Sequence, residues 1–137
     1  MFGVHRLEAG EVKRLQFLIL EHEALARWVA AADLRALGHS VIEAHSINEA
    51  ISVLESGTPV DVIYCDLDIP GPQSGLDFEA WLARHEPAIP VLLTSVDALG
   101  VAGLPGRPSR AFIIKPHPME AALDAIGSLF ALQTKGN

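Results

Sequence analysis

The chain has 137 residues, half of them apolar and a fifth charged, and carries a formal net charge of −7. That is enough chain for one domain around one core and too little for two. The composition excludes a disordered protein, and the acidic balance argues against a surface for phosphate backbones, which takes clustered Lys and Arg. The single cysteine, Cys65, rules out an intrachain disulfide, fits a reducing cytosol and reads as a small buried core residue. No apolar run approaches the ~20 residues of a membrane span. The opening Met1-Phe2-Gly3-Val4-His5-Arg6 lacks the apolar segment of a secretory leader. A cytoplasmic protein with neither nucleic acid nor membrane as partner is expected.

Residues 1–14 carry mixed charge without a strong period and read as an N-terminal extension, either a tail or a short helix from Ala9 to Leu15. Gln16 to Leu20 is the first apolar strand, closed by the polar cluster Glu21-His22-Glu23. Residues 24–37 are helical by the recurrence of Leu25, Trp28, Val29, Ala32 and Leu37, with Gly38 just past the end. Ser40 to Ala44 is a second strand. Ser46-Ile47-Asn48-Glu49 is a capping box that opens a helix through Leu54, and Gly57-Thr58-Pro59 ends it. The run from Val60 to Asp66 is then apolar enough for a strand covered on both faces. Pro70-Gly71-Pro72 forbids its simple continuation.

Ser74-Gly75-Leu76-Asp77 opens a third helix with Phe78, Trp81 and Leu82 inward, and Pro87 and Pro90 bracket the return to a fourth strand, Val91 to Thr94. The segment 97–108 holds three Gly and two Pro in twelve residues, so a stable helix of ordinary length is not expected there. Ala111 to Ile114 is the fifth strand, Pro118 to Leu132 the last helix, and 133–137 a polar tail. Strands alternating with helices predict a parallel sheet covered on both faces. Five of them fit a flavodoxin-like doubly wound α/β fold of order 2-1-3-4-5, with the fourth helix short or absent.

Parallel strands bring their carboxyl ends to one edge. Glu21, His22 and Glu23, then Asp66 and Asp68, then Thr94 and Ser95, then Lys115 all fall there. Crowded carboxylates are relieved by a proton, a lysine or a divalent cation, and oxygen donors around an open position suit Mg2+. A carboxylate beside such a cation, with a lysine and a hydroxyl to meet developing charge, is equipped to accept a phosphoryl group.

Four pieces in this order and at these intervals carry a resemblance. They are Phe17-Leu18-Ile19-Leu20-Glu21-His22-Glu23, Asp66-Leu67-Asp68-Ile69-Pro70-Gly71, Pro90-Val91-Leu92-Leu93-Thr94-Ser95 and Ala111-Phe112-Ile113-Ile114-Lys115-Pro116. Over roughly 15–132 the chain resembles the receiver domain of bacterial two-component response regulators. The resemblance implies that Asp66 accepts a phosphoryl group from a histidine kinase or a histidine phosphotransfer protein. Thr94 would then draw toward the phosphate, Lys115 pair with it, and Phe112 act as the aromatic switch residue. It also implies Mg2+ held by Glu21, Asp66 and the backbone carbonyl of Asp68, and a cis peptide before Pro116. No output module is expected beyond residue 132, so protein contact or phosphate relay is the expected output, with the downstream partner unnamed and a homodimer left open. The self-catalysed transfer would make the chain an enzyme only in a marginal sense.

Three departures stand out. Where receivers usually carry a second acid after the first strand, this chain has His22, and a neutral imidazole is a poor Mg2+ ligand. The loop Pro70-Gly71-Pro72-Gln73-Ser74-Gly75 is about one residue longer than the commonest form. The Gly/Pro-rich 97–108 replaces the usual fourth helix, as in a receiver subgroup frequent in alphaproteobacteria. His22 therefore reads as a displaced metal ligand, a pH-sensitive gate or a mark of lost metal binding. Two other functions compete: a pseudo-receiver that docks partners without phosphorylation, and an aspartate-nucleophile phosphohydrolase built on Asp66-Leu67-Asp68. Against the phosphohydrolase, that motif normally follows a domain's first strand, and here it follows the third. His5, His39, His45, His85 and His117 read as surface or loop histidines, and Trp28, Trp81, Phe78 and Phe130 as core.

Overall fold

The odd and even positions of the strands decide the layers. In Gln16–Leu20, Phe17 and Ile19 point to one face and Leu18 and Leu20 to the other, and all four are fully buried. A strand apolar at both parities is stable only between two covering layers. The computed structural model describes residues 6, 7, 11, 12, 14–71, 73–97, 104 and 106–136. In chain order they form β1 (Arg6–Leu7), β2 (Glu11–Val12), β3 (Gln16–Leu20), α1 (Ala24–Ala36), β4 (Ser40–Ala44), α2 (Ile47–Glu55), β5 (Val62–Asp66), α3 (Gly75–His85), β6 (Val91–Ser95), β7 (Arg110–Ile114) and α4 (Met119–Gly136).

The main sheet is all parallel, in the order β4-β3-β5-β6-β7. Counted without the first two short strands this is the flavodoxin-like 2-1-3-4-5, as expected. β5 and β6 are buried at every position, and the edge strands β4 and β7 mostly only partly. Leu18, Leu20, Ile63, Cys65, Val91 and Leu93 pack against residues of α2 and α3, including Ile47, Leu54, Phe78 and Leu82. Phe17, Ile19, Val62, Tyr64 and Leu92 pack on the opposite face with Ala31, Leu34, Ala122 and Ile126 of α1 and α4.

Several sequence expectations need correction. Among the described residues before β3 there are two short strands in place of the helix allowed for, β1 and β2, which pair antiparallel, Arg6 with Val12 and Leu7 with Glu11. On α1 the predicted apolar stripe faces outward, with Leu25 at 69%, Trp28 at 63% and Val29 at 47% exposure. The sheet instead takes Ala31 and Leu34, with Ala30 and Leu37 partly buried beside them. Both stripes have helical spacing, and the smaller one lets the helix lie closer to the strands. His39 is buried, because Leu15 N–H donates to its Nδ1 at 3.1 Å and its ring meets Phe17 edge-on. At α2, Ser46 accepts from Glu49 N–H, but Glu49 reaches back to His45 N–H, one residue beyond the cap. The full reciprocal box is at Ser74 and Asp77 of α3. The expectation for 97–108 falls largely on 98–103 and 105, and those for His5 and Pro72 on these residues themselves, outside the described residues.

Candidate functional site

The register sets the site. Leu20 pairs with Cys65, Asp66 with Thr94, and Ser95 with Ile114, so four strands end level with one another. The backbone ladder runs one step past these ends: Leu67 N–H donates to Thr94 C=O, Lys115 N–H to Ser95 C=O, and Glu21 N–H to Ala44 C=O. Glu21, Asp66, Thr94 and Lys115 therefore converge, as the sequence predicts.

Asp66 is fully buried. Its Oδ1 accepts from Lys115 Nζ at 2.7 Å and from Asp68 N–H at 2.8 Å. Its Oδ2 has no hydrogen-bond partner among the described residues. Lys115 Nζ also lies 3.6 Å from Glu21 Oε1 and 3.6 Å from Asp68 Oδ2, so one ammonium faces three carboxylates. His22 Nδ1 lies on the other side, 3.6 Å from both Glu21 Oε2 and Asp66 Oδ2. Asp68 is tied down separately: Ser95 Oγ donates to its Oδ1 at 2.7 Å and Val96 N–H to its Oδ2 at 3.0 Å. Thr94 is fully buried, and its Oγ1 lacks a hydrogen-bond partner among the described residues. Phe112 is partly buried against the α2/α3 side of the core, opposite Leu93 in register. The Lys115–Pro116 peptide is cis.

The electrostatics follow from this crowding. Burial, then the nearby carboxylate of Asp66, raise Glu21 above its ordinary value, against the opposing pull of Glu23 N–H and Lys115. Burial works against charge on Lys115, but the hydrogen bond and charge of Asp66, with Glu21 and Asp68, raise it overall. Burial also raises Asp68, yet Ser95, Val96 N–H and Lys115 together bring it below its ordinary value. Tyr64 is pushed up by burial and by Glu21 and Asp66.

The site opens to a cleft of about 690 Å3 lined among others by Glu21, His22, Asp66, Lys115, Val29 and Met119. One donor atom from each of Glu21, His22 and Asp66 lies within 4.8 Å of the other two. A fully buried carboxylate oxygen without a partner is costly, and a divalent cation would satisfy it. The residues therefore fit a dication. Both carboxylate oxygens of Asp68 are already engaged, so only its backbone is free for the role that the resemblance implies.

Sequence reasoning missed three parts of this site. Ser95, noted only as a strand end, anchors Asp68. His117, taken as a loop histidine, lines the cleft and pairs through Nε2 with Tyr64 Oη at 3.1 Å. The signal was a tyrosine inside a buried strand, whose hydroxyl needs a partner. Gly75 lets α3 start against the site: a Cβ there would lie 2.6 Å from Leu67 Cα and 2.8 Å from Asp66 C=O.

A flavodoxin-like sheet with acids, a hydroxyl and a lysine at its switch-point edge defines the class. The chain belongs to the response regulator receiver domain family of two-component systems, whose family model matches residues 17–126. Among solved structures, it is similar to a response regulator receiver protein from Sinorhizobium medicae, with 23% identity, TM-score 0.75, and coverage of 87% of this chain and 96% of that one. The receiver domain of the hybrid histidine kinase CckA is 25% identical, with TM-score 0.67 and coverage of 83% and 97%. The response regulator TrrA from Thermotoga maritima, solved in complex with Mg2+-BeF, is 18% identical, with TM-score 0.72 and coverage of 84% and 98%. A comparison with curated proteins gave no match. Among the described residues, no helix is long and apolar enough to cross a membrane.

Proposed function

We propose that the chain is a phosphoacceptor response regulator in a His-Asp phosphorelay, with Asp66 as the residue phosphorylated. The carrying observation is the asymmetry of its carboxylate. Lys115 and Asp68 N–H hold Oδ1, while Oδ2 is fully buried, lacks a hydrogen-bond partner among the described residues and borders the cleft. A carboxylate anchored through one oxygen and unsatisfied at the other is fixed in place beside the cleft, and positioning supplies most of the catalysis in phosphoryl transfer. A carboxylate oxygen of Asp66 forms the new bond to phosphorus as the donor's bond to phosphorus breaks, and the donor leaves with that electron pair. Lys115 offsets the added charge, and the Thr94 hydroxyl is free to donate to a phosphoryl oxygen. Phe112 would then repack, turning a local charge change into a changed contact surface. A bound dication would supply further charge neutralisation, held by Glu21, Asp66 and the Asp68 backbone carbonyl.

The partners in this reading are a histidine kinase or a histidine phosphotransfer protein upstream and a protein contact downstream. The domain acts as a signalling module, in the cytoplasm, and extends over 15–132 after the N-terminal extension, with α4 continuing as helix to Gly136 where a polar tail was expected. The placement of His22 between two carboxylates favours a second reading, a docking module that no longer takes phosphate. Intact mass after incubation with a small-molecule phosphodonor and a divalent cation separates them. One added phosphoryl group in the native chain and none in Asp66→Asn is expected. No gain under any divalent cation would favour the docking module.

A further inference from the structure

Oxygen donors alone would suit Mg2+, which prefers oxygen ligands in octahedral array and gives up its water reluctantly. Here one of the three converging donors is a ring nitrogen. We propose that this site selects a borderline first-row transition dication of the Mn2+-to-Zn2+ class over Mg2+, with Glu21 Oε2, His22 Nδ1 and Asp66 Oδ2 as protein donors. The inference rests on the reading of Asp66 as phosphoacceptor for what the cation serves, and on the geometry for the donor set.

The two carboxylates are divided in the same sense. Asp66 Oδ1 and Glu21 Oε1 face Lys115 Nζ, at 2.7 and 3.6 Å. Asp66 Oδ2 and Glu21 Oε2 face His22 Nδ1, each at 3.6 Å. Lys115 therefore serves one side of the pair and leaves the other, among the described residues, with no fixed cation. Two donors on a dication held at 2.0–2.1 Å stand roughly 3.0–3.4 Å apart. The separations from His22 Nδ1 exceed that by only a few tenths of an ångström, and all three donors lie within 4.8 Å of one another, a set that side-chain rotations can close.

Asp66 Oδ2 supplies the independent sign of a missing ligand, since it is fully buried with no hydrogen-bond partner among the described residues. The His22 ring is 37% exposed, so a cation there would keep solvent positions open on the cleft side. Imidazole suits Zn2+, Ni2+ and Fe2+ better than Mg2+, so the nitrogen sets the preference that carboxylates alone would leave weak. The competing role for His22 is an imidazolium that replaces the metal, and it predicts the opposite response to substitution.

The test is calorimetric titration of the full chain with Co2+, Mn2+ and Mg2+, with visible absorption reporting Co2+ ligation. Native protein, His22→Asp, His22→Gln and Asp66→Asn are compared after far-UV circular dichroism shows each folded. The proposal predicts Co2+ and Mn2+ binding tighter than Mg2+. It predicts that His22→Asp lowers the Co2+/Mg2+ affinity ratio by about tenfold or more, that His22→Gln weakens Co2+ similarly, and that Asp66→Asn removes the site. An unchanged ratio in His22→Asp, Co2+ binding that survives in Asp66→Asn, or no binding by the native chain would overturn it. Intact mass on the same samples keeps the two claims apart. Phosphoryl gain without metal preference would sink only this inference. Metal preference without phosphoryl gain would sink only the phosphoacceptor reading.

Discussion

Glu21 carries the clearest consequence for a single residue. Burial and Asp66 raise it in the folded state above its ordinary value of 4.5. A carboxyl raised by folding binds its proton more tightly folded than unfolded. Its favourable contribution is therefore present below the unfolded value and is lost as pH rises through the folded one. Without metal, the charge on Glu21 works against the fold as pH rises past its ordinary value. Glu21→Gln should be more stable than the native chain at pH 7 in chelator, and the difference should vanish below about pH 4. Urea unfolding across that range measures it, and a less stable variant at pH 7 would refute the reading. Asp68 has the opposite sign: it is lowered, so its contribution holds above its ordinary value of 3.8 and is lost on further acidification. Glu21 was readable in sequence because it ends an apolar run, and Asp68 because it stands two residues past the acid that ends another. The burial of His39 was not, because its signal is one backbone N–H, that of Leu15, 24 residues earlier in the chain.

At the scale of elements, α1 shows where periodicity runs out. Leu25, Trp28 and Val29 make as good a stripe as Ala31 and Leu34, and hydrophobicity favoured the larger residues. The sheet chose the stripe that fits closest, which is a property of packing and absent from the helix alone. Leu34→Ala should cost about 2–5 kcal/mol, while Trp28→Ser should stay within about 0.5 kcal/mol, as exposed substitutions do. Denaturant midpoints with unchanged slopes would measure both, and the reverse order would restore the sequence-based stripe. The start of α3 offers a second case. Gly75 has no room for a Cβ against the backbone of Asp66 and Leu67. Gly75→Ala should cost on the order of 1–3 kcal/mol by overpacking, and should slow phosphoryl uptake, because the displaced backbone is that of Asp66 itself. Unchanged stability and uptake would show that the helix start shifts freely.

For the whole molecule, the alternation of strand and helix made the sheet order legible, and the parallel order then placed the site. What stayed hidden were contacts between residues far apart in sequence. Glu79 is buried on α3 and accepts a two-pronged bond from Arg107, Nη2 to Oε1 at 2.8 Å and Nε to Oε2 at 2.9 Å. Arg110 Nη1 adds a bond to Oε2 at 2.9 Å. This clasp ties α3 to the start of β7, at the sheet end opposite the site, and nothing in the local pattern of 79, 107 or 110 announces it. Removing one partner leaves buried charge uncompensated, so Glu79→Ala should cost about 3–5 kcal/mol. Metal binding and phosphoryl uptake should persist wherever the variant remains folded. Loss of uptake by folded Glu79→Ala would mean the two ends are coupled.

The central claim is that the phosphoryl group goes to Asp66 and to no other carboxylate of the site. Borohydride reduction of the phosphorylated chain converts an aspartyl phosphate to homoserine, and peptide mapping locates it. Homoserine at position 66 alone is the predicted result. Homoserine at 68, a corresponding reduction product at 21, or no reduced residue in a chain that had gained phosphate mass would contradict it.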